Sequence, residues 1–305
     1  MSALQIYLFG SPRIVSAGWT SDIKVTRTIQ GLLGYLLLHR QRSHSRKMLA
    51  DLFWGDHPED RAHSCLSTAL WRLRSTLEPK GVPRGTYLVI TPKGDVGFNR
   101  ESDYWLDVAV LEEQVGHAQV HLAQGLDSAG AAKLERSLDL YTDELLEGFY
   151  DDWALRERER LRGLYLSGLT LLMRYYKSHE AYEESLACGH RILSCDPLRE
   201  EVHREMMRLY LSNGQRALSA RQYEACRAIL RTELGISPME ETQALYAQIV
   251  ADADQRGLDY PVGREASNVQ QALQQLGLAM QAYDQAREQL QQAIHLVEHL
   301  TEGSD

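Results

Sequence analysis

Residues 61–77 read RAHSCLSTALWRLRSTL, and their apolar positions recur with the 3.6-residue period of an α-helix. The apolar side chains share one face of that helix: Ala62, Leu66, Ala69, Leu70, Leu73 and Leu77. The opposite face carries guanidinium and hydroxyl groups around one indole ring: Arg61, Ser64, Thr68, Trp71, Arg72 and Ser75, with Ser67 and Arg74 at its flanks. The pattern predicts a helix that packs through its leucine face and exposes a polar, cationic face.

The segments on either side of this helix complete the predicted fold. Residues 4–9 alternate like a β-strand, residues 28–39 have helical period, and Ser45 can cap a second helix. Beyond the third helix, turn residues at 92–95 separate two short β-rich runs, as in a hairpin. A short sheet, three helices and a closing hairpin predict a winged helix-turn-helix, an α+β domain, over residues 1–103.

Charge is divided unevenly along the chain. The whole sequence has a formal net charge of −9, but residues 1–103 hold 14 Lys and Arg against 9 Asp and Glu, a balance of +5. Residues 104–305 hold 19 Lys and Arg against 33 Asp and Glu, a balance of −14. This asymmetry predicts a basic module attached to an acidic one, which the net charge of the whole chain conceals.

The polar face of the third helix is suited to a DNA major groove, because arginine bonds guanine and hydroxyl groups bond bases or phosphates. The start of the second helix and the tip of the hairpin add cations that can hold phosphates. The predicted DNA-binding residues are Arg46, Lys47, Arg61, Ser64, Ser67, Thr68, Trp71, Arg72, Arg74 and Lys93. The alternatives are an ordinary solvated face for the third helix, and burial of Trp71 against the hairpin or the helical region.

Residues 104–256 predict an all-α region, since the strand patterns stop at Trp105 and glycine or proline breaks separate helical segments. Two stretches within this region resemble each other and place Leu193 and Leu230 at equivalent positions, 37 residues apart. Helix pairs repeating at such an interval predict a tetratricopeptide-like domain. Arginines alternate with glutamates at 156–162, which indicates either a solvated helix face or a partner contact through Arg156, Arg158 and Arg160.

Residues 264–302 predict a C-terminal helix with a heptad repeat. Its apolar seam consists of Val269, Leu276, Tyr283, Leu290 and Val297. The seam indicates either a coiled coil that forms a homodimer or a helix that caps the helical domain within one chain.

Nothing in the sequence indicates an enzyme, a cofactor or a metal site. His179, Cys188, His190 and Cys195 are spaced so that they do not share one helical face, and no serine or cysteine lies in a nucleophile elbow. The sequence has no run of 18 apolar residues and does not begin like a signal peptide. We therefore expect a cytoplasmic protein with no membrane partner.

Several motifs together resemble the SARP family of transcriptional regulators. In the first region these are LLGYLLL at 32–38, LADLFWGD at 49–56 and ALWRLRSTL at 69–77. In the second region they are ELLEG at 144–148, DW at 152–153, ERERLR at 157–162 and DPLREE at 196–201. The match covers about residues 1–251, and its two parts resemble an OmpR-like DNA-binding domain and a bacterial transcriptional activation domain. The wing differs, since Val96-Gly97-Phe98 stands where the family commonly has a Gly-Tyr pair.

The resemblance implies a tetratricopeptide-type domain packed on the winged helix, and activation through RNA polymerase at promoters that carry direct repeats. We therefore expect a mostly α protein that binds specific DNA sequences and activates transcription, with double-stranded DNA and RNA polymerase holoenzyme as partners. The alternative is a helical-repeat scaffold, or an adaptor that binds peptides or ligands, without DNA-dependent activity.

Overall fold

The computed structural model describes residues 4–16, 19–22, 26–120 and 126–255. The strands are β1 (Leu4–Tyr7), β2 (Arg13–Ser16), β3 (Trp19–Asp22), β4 (Leu88–Ile90), β5 (Val96–Phe98) and β6 (Tyr104–Leu106). The helices are α1 (Arg27–Leu38), α2 (Arg46–Trp54), α3 (Glu59–Leu77), α4 (Asp107–Val120), α5 (Ser128–Leu138), α6 (Asp152–Ser178), α7 (Tyr182–Cys195), α8 (Glu200–Ser212), α9 (Arg216–Leu234) and α10 (Glu240–Gln255). The predicted C-terminal helix, with Val269, Leu276, Tyr283, Leu290 and Val297, lies outside the described residues.

The chain divides into two compact units, Met1–Thr242 and Gln243–Asp305. All the contacts described below belong to the first unit.

A four-stranded sheet opens the fold, in the order β3-β2-β1-β6. β1 pairs antiparallel with β2, where Ile6 lies opposite Ile14, and parallel with β6, where Ile6 lies opposite Leu106. These three side chains are buried and form the inner face of the sheet. β6 corrects the expectation that strands end before Trp105. Three residues are too few to show an alternating pattern, so only the pairing with β1 reveals this strand.

The first three helices form the predicted helix-turn-helix. Ser45 caps α2 as expected, because its hydroxyl oxygen accepts a hydrogen bond of 3.2 Å from the backbone N–H of Met48. α3 begins at Glu59, two residues earlier than the sequence pattern indicates. Proline at the preceding position and the acidic side chains of Glu59 and Asp60 favour this start, since carboxylates stabilise the positive end of a helix. The predicted leucine face of α3 is buried throughout.

The wing is the antiparallel hairpin of β4 and β5, with Gly94 at a φ of 88° in its turn. His44 and Val96 exchange two backbone hydrogen bonds of 2.8 Å each, which attach the segment between α1 and α2 to the wing. Phe98 is buried and packs edge-on against Tyr104, with the ring centroids 4.9 Å apart. The predicted winged helix-turn-helix is therefore confirmed.

The helical region is a tetratricopeptide-like stack in which one hydrogen bond occurs twice. Ser185 Oγ donates to the carbonyl of Met173 at 2.8 Å, and Ser219 Oγ donates to the carbonyl of Met207 at 2.8 Å. Donor and acceptor both recur after 34 residues, which is the tetratricopeptide period. The sequence pairing at 37 residues was therefore wrong by three positions, almost one helical turn. A three-residue difference in offset is close to one helical turn, so it keeps the apolar faces of the two repeats superposed. The sequence alone therefore does not distinguish the two offsets.

The winged helix and the helical region share one core. The loop after α5 pairs with the segment after β1: Leu146 N–H donates to the carbonyl of Leu8 at 2.9 Å, and Glu147 N–H donates to that of Gly10 at 3.0 Å. Leu146 is fully buried and packs so closely on α1 that a Cβ added at Gly34 would lie 3.0 Å from its Cδ1. α1 is therefore fixed against the helical region.

Candidate nucleic-acid interface

The polar face of α3 is open to solvent. The predicted residues Arg61, Ser64, Ser67, Thr68, Trp71 and Arg72 are all exposed. Trp71 is 68% exposed, which excludes the alternative of an indole buried against the hairpin or the helical region. The indole ring is therefore accessible to another molecule from the surface of α3.

The hydroxyl groups of this face bond their own helix. Ser67 Oγ donates to the carbonyl of His63 at 2.8 Å, and Thr68 Oγ1 donates to that of Ser64 at 3.1 Å. Each hydroxyl has a single proton and two acceptor lone pairs, so its oxygen can also accept hydrogen bonds, and that of Ser67 already accepts one from Arg46. In this conformation the face offers acceptors from its hydroxyls and donors from its guanidiniums, a mixture that matches base edges in a major groove.

The two cations at the start of α2 are placed differently. Arg46 donates a hydrogen bond of 2.7 Å to Ser67 Oγ and thereby ties α2 to the polar face of α3. Lys47 Nζ lies 3.4 Å from Glu59 Oε1, and both side chains are well exposed. Exposed pairs of this kind contribute little, so Lys47 can exchange its partner for a phosphate at small cost.

Arg74 faces the wing and not the open surface. Its guanidinium donates to the carbonyl of Leu88 at 2.9 Å and lies 3.3 Å from the carboxylate of Glu78. Glu78 is almost fully buried and accepts backbone hydrogen bonds from Gly85 at 3.0 Å, Tyr87 at 2.8 Å and Leu88 at 3.0 Å. The structure therefore gives Arg74 a positioning role: it joins the end of α3 to the first strand of the wing.

A groove of about 380 Å³ runs between α3 and the wing, and we call it the α3–wing groove. The residues that line it include Arg46, Ser67, Trp71, Arg84, Leu88 and Ile90. Ile90 is 47% exposed, so the groove offers an apolar wall beside Trp71 and guanidinium groups around it. Such a lining can hold a sugar or a thymine methyl group while the cations reach phosphates.

Sequence reasoning missed Arg84, Glu78 and Ile90. Arg84 lies in a turn-rich segment without periodicity, and a buried carboxylate such as Glu78 has no sequence signature. The sequence pattern predicts Ile90 only as a strand residue, although its position at the end of β4 exposes it. Lys93 lies exposed in the turn of the hairpin, as predicted from the turn residues around it.

The three arginines predicted as partner contacts on α6 have three different environments. Arg158 is 8% exposed and donates to the backbone carbonyls of Leu145 at 3.1 Å, Leu146 at 3.1 Å and Phe149 at 3.0 Å. It therefore holds the loop before α6 and is not available to a partner, which corrects the expectation for this residue. The sequence does not indicate the burial of Arg158, because an alternating run of arginine and glutamate is typical of a helix face that is solvated throughout.

Arg160 is engaged by two carboxylates, at 2.8 Å from Glu157 and 2.7 Å from Glu112. Arg156 is exposed and makes no ion pair with any residue that the structure describes. Of the three arginines, Arg156 is thus the one whose charge is open to a partner.

His39 and His44 lie in the segment between α1 and α2 and pack around one ring. The centroid of Tyr35 lies 4.4 Å from that of His39 and 5.1 Å from that of His44. Burial lowers the pKa of both imidazoles. They are therefore neutral at pH 7 and add no charge to the cationic surface beside them.

Asp107 lies at the joint between β6 and α4 and is buried. Its carboxylate accepts backbone hydrogen bonds from Leu8 at 2.8 Å, Phe9 at 2.9 Å and Val108 at 2.7 Å. Burial raises the pKa of Asp107 to about 6, and it outweighs the hydrogen bonds and the charge of Arg13, which lower it. The joint between sheet and helical region thus contains a titratable group.

A family model described as the bacterial transcriptional activator domain matches residues 106–250. The regulatory protein AfsR of Streptomyces coelicolor is 26% identical over 221 residues, which cover 72% of this chain and 22% of AfsR. The transcriptional regulatory protein MoaR1 of Mycobacterium bovis is 26% identical over 247 residues, which cover 77% of this chain and 75% of MoaR1. The chain thus spans about a fifth of the length of AfsR and most of the length of MoaR1.

Among solved structures, Mycobacterium tuberculosis EmbR in complex with a low-affinity phosphopeptide superposes with a TM-score of 0.68 at 16% identity. The match covers 92% of this chain and 71% of EmbR, and it shows a common fold. None of the helices within the described residues has the length and apolarity to cross a membrane. Residues 106–250 thus match the bacterial transcriptional activator domain, and the chain is homologous to the regulators AfsR and MoaR1 over about three quarters of its length.

Proposed function

We propose that this regulator is a sequence-specific DNA-binding activator of transcription, and that α3 enters the major groove of its operator. The observation that carries the proposal is the exposed face of α3, where Trp71 and Arg72 lie among hydroxyl groups and no element among the described residues covers them. The positive balance of residues 1–103 supports it, because phosphate neutralisation supplies most of the affinity of such proteins.

The wing acts beside α3 in this proposal. Lys93 lies at its tip, and the hydrogen bond from Arg74 to Leu88 keeps β4 at a fixed distance from α3. A helix that reads bases and a hairpin that holds the backbone then contact the duplex together.

The acidic helical region contacts RNA polymerase holoenzyme in this proposal, and the operator consists of direct repeats. Two copies bound in series on such repeats are head-to-tail neighbours. The heptad residues of 264–302 then join two chains, which raises the effective concentration of the second DNA-binding domain. The protein acts in the cytoplasm, without catalysis of its own, and its relatives AfsR and MoaR1 are regulators.

The test is selection of duplexes from a random-sequence DNA pool by the full-length protein, followed by transcription in vitro from a promoter that carries the selected site. We expect one enriched motif, present as a direct repeat, and a rise in transcript on addition of the protein. Enrichment of no motif by a protein that is folded by circular dichroism would contradict DNA recognition and favour the scaffold or adaptor alternative.

A further inference from the structure

A second groove, of about 770 Å³, lies between the start of α2 and the start of α6. We call it the α2–α6 groove, and the residues of its lining that matter here are Arg42, Ser45, Lys47, Asp51, Leu52 and Arg156. It brings the helix-turn-helix and the activator domain together on one surface. Of its residues, Lys47 is already a predicted phosphate contact, but the groove as a whole has no role in the function described above.

Aromatic packing fixes the two walls of this groove against each other. The ring of Trp153 lies edge-on to Tyr35 at 5.3 Å and to Phe53 at 5.9 Å between centroids, and it is only 4% exposed. Trp153 belongs to the first turn of α6, so this packing holds that turn on α1 and α2. Arg156 follows one turn later and is thereby held over the groove that Lys47 also lines.

Cations outnumber free carboxylates in the groove. Arg42 and Arg156 are exposed and form no ion pair with any of the residues described, and Lys47 has only its exposed pair with Glu59. Of the two carboxylates in the lining, Glu157 is held by Arg160 at 2.8 Å, which leaves Asp51. An anion that enters the groove therefore meets a net positive charge.

The groove also borders the surface proposed to face DNA. Arg46 lines the α3–wing groove, whereas its neighbours Ser45 and Lys47 line the α2–α6 groove, so the two grooves meet at the first residues of α2. In a helix-turn-helix the helix that precedes the recognition helix crosses the phosphate backbone. If α2 crosses the backbone in this way, the phosphates pass over the α2–α6 groove, where they meet Arg42, Lys47 and Arg156.

We propose that the α2–α6 groove binds backbone phosphates of the operator, and that Arg156 of the activator domain is one of the DNA contacts. The inference rests on the proposed function and extends the DNA-contacting surface beyond the winged helix. A polyanion fits the groove better than a protein partner does, because its aromatic rings are buried and Leu52, 38% exposed, is the large apolar side chain it presents. Protein contacts depend on exposed aromatic or apolar anchors.

The experiment measures the affinity of the full-length protein for its selected duplex and for an unrelated duplex over a series of salt concentrations. The variants are Arg156→Ala, Arg156→Lys and, as a matched control, Arg174→Ala, which removes another exposed arginine of α6. For Arg156→Ala we expect the slope of log K against log salt to become shallower by about 0.9, and the affinity for both duplexes to fall about fivefold at 0.15 M salt. Arg156→Lys should retain most of the slope, and Arg174→Ala should match the wild type.

The outcomes separate this inference from the proposed function. If the wild type binds DNA with a steep salt dependence and Arg156→Ala has the same slope, the inference is wrong and the proposed function stands. If Arg156→Ala keeps the wild-type slope but loses activation in a transcription assay, the groove is a protein contact, which also overturns the inference. If the folded wild type binds no duplex, both fail. Arg42→Ala, from the opposite wall, repeats the test with an independent variant.

Discussion

Arg74 donates a hydrogen bond of 2.9 Å from its guanidinium to the backbone carbonyl of Leu88, which joins the last turn of α3 to the first strand of the wing. The buried carboxylate of Glu78 completes the contact by accepting the backbone N–H groups at the start of the same strand. The charged pair of Arg74 and Glu78, with its backbone partners, therefore holds α3 and the wing in a fixed arrangement. Both elements are proposed to contact the same duplex.

Arg74→Ala should lower the free energy of unfolding by about 1–3 kcal/mol, because Glu78 then stays buried without its cation and the carbonyl of Leu88 loses its donor. Urea unfolding followed by circular dichroism measures this change. Arg72→Ala is the matched control, since Arg72 is exposed on the same helix and its removal should change stability by less than about 0.5 kcal/mol. Equal unfolding midpoints for Arg74→Ala and the wild type would show that the contact of Arg74 with Glu78 and Leu88 contributes nothing to stability.

Under the proposed function Arg72 makes a forked contact to guanine, so Arg72→Ala should lower the affinity for the selected operator by about 1–3 kcal/mol and relax specificity at one base pair. Lys93→Ala, at the tip of the wing, is the comparison: it removes a phosphate contact and should weaken binding to all sequences alike. Competition binding against a set of single-base operator variants distinguishes the two effects. An Arg72→Ala protein that weakens every variant equally would place Arg72 on the backbone and not on a base.

Trp71 should be quenched by acrylamide in the free protein and protected on the operator, because its ring is 68% exposed and lies on the face proposed to meet DNA. The Trp71→Phe variant isolates its fluorescence from that of the other four tryptophans, since the sequence contains 5. A difference signal that is quenched equally with and without DNA would show that the ring stays outside the complex.

Asp107 should make stability fall as the pH rises from about 4 to above 6. Its pKa in the folded protein, about 6, lies above the ordinary value of 3.8, so the folded state binds this proton more tightly than the unfolded state does. The stability it contributes is therefore complete below the unfolded pKa and lost as the pH rises through the folded pKa, a change of about 3 kcal/mol.

Asp107→Asn removes this titration and places an amide N–H₂ near backbone donors, so it should be less stable than the wild type at acid pH. The measurement is urea unfolding of both proteins between pH 4 and pH 7.5. The free energy of unfolding of the wild type should exceed that of Asp107→Asn at pH 4, and this difference should become smaller as the pH rises to 7.5. A difference that stays constant with pH would mean that Asp107 does not titrate there.

The leucine face of α3, the Ser45 cap and the hairpin turn at Gly94 could be predicted from sequence, because each depends on residues close together in the chain. What could not be predicted depends on distant partners. β6 exists only through β1, and Arg158 is buried only because the loop at Leu145 folds back onto α6.

The candidate nucleic-acid interface could likewise be predicted only where it depends on residues close together in the chain. The exposure of Arg72 follows from the helical period of one segment, whereas the period left burial of Trp71 open and only the structure shows that it is exposed. The wing-facing position of Arg74 and the meeting of Arg156 with Lys47 depend on tertiary packing, for which the local pattern contains no information. Periodicity places a residue on a face of its helix, but not opposite a particular partner.

Binding of DNA through phosphate neutralisation is tested most directly by the dependence of the binding constant on salt. The full-length protein is titrated with its selected duplex at several potassium chloride concentrations, and log K is plotted against log salt. With five or more phosphates neutralised, the slope should be about −4.5 or steeper, and it should become shallower in Lys93→Ala. A slope near zero, or no binding to any duplex by the folded protein, would contradict the proposed function.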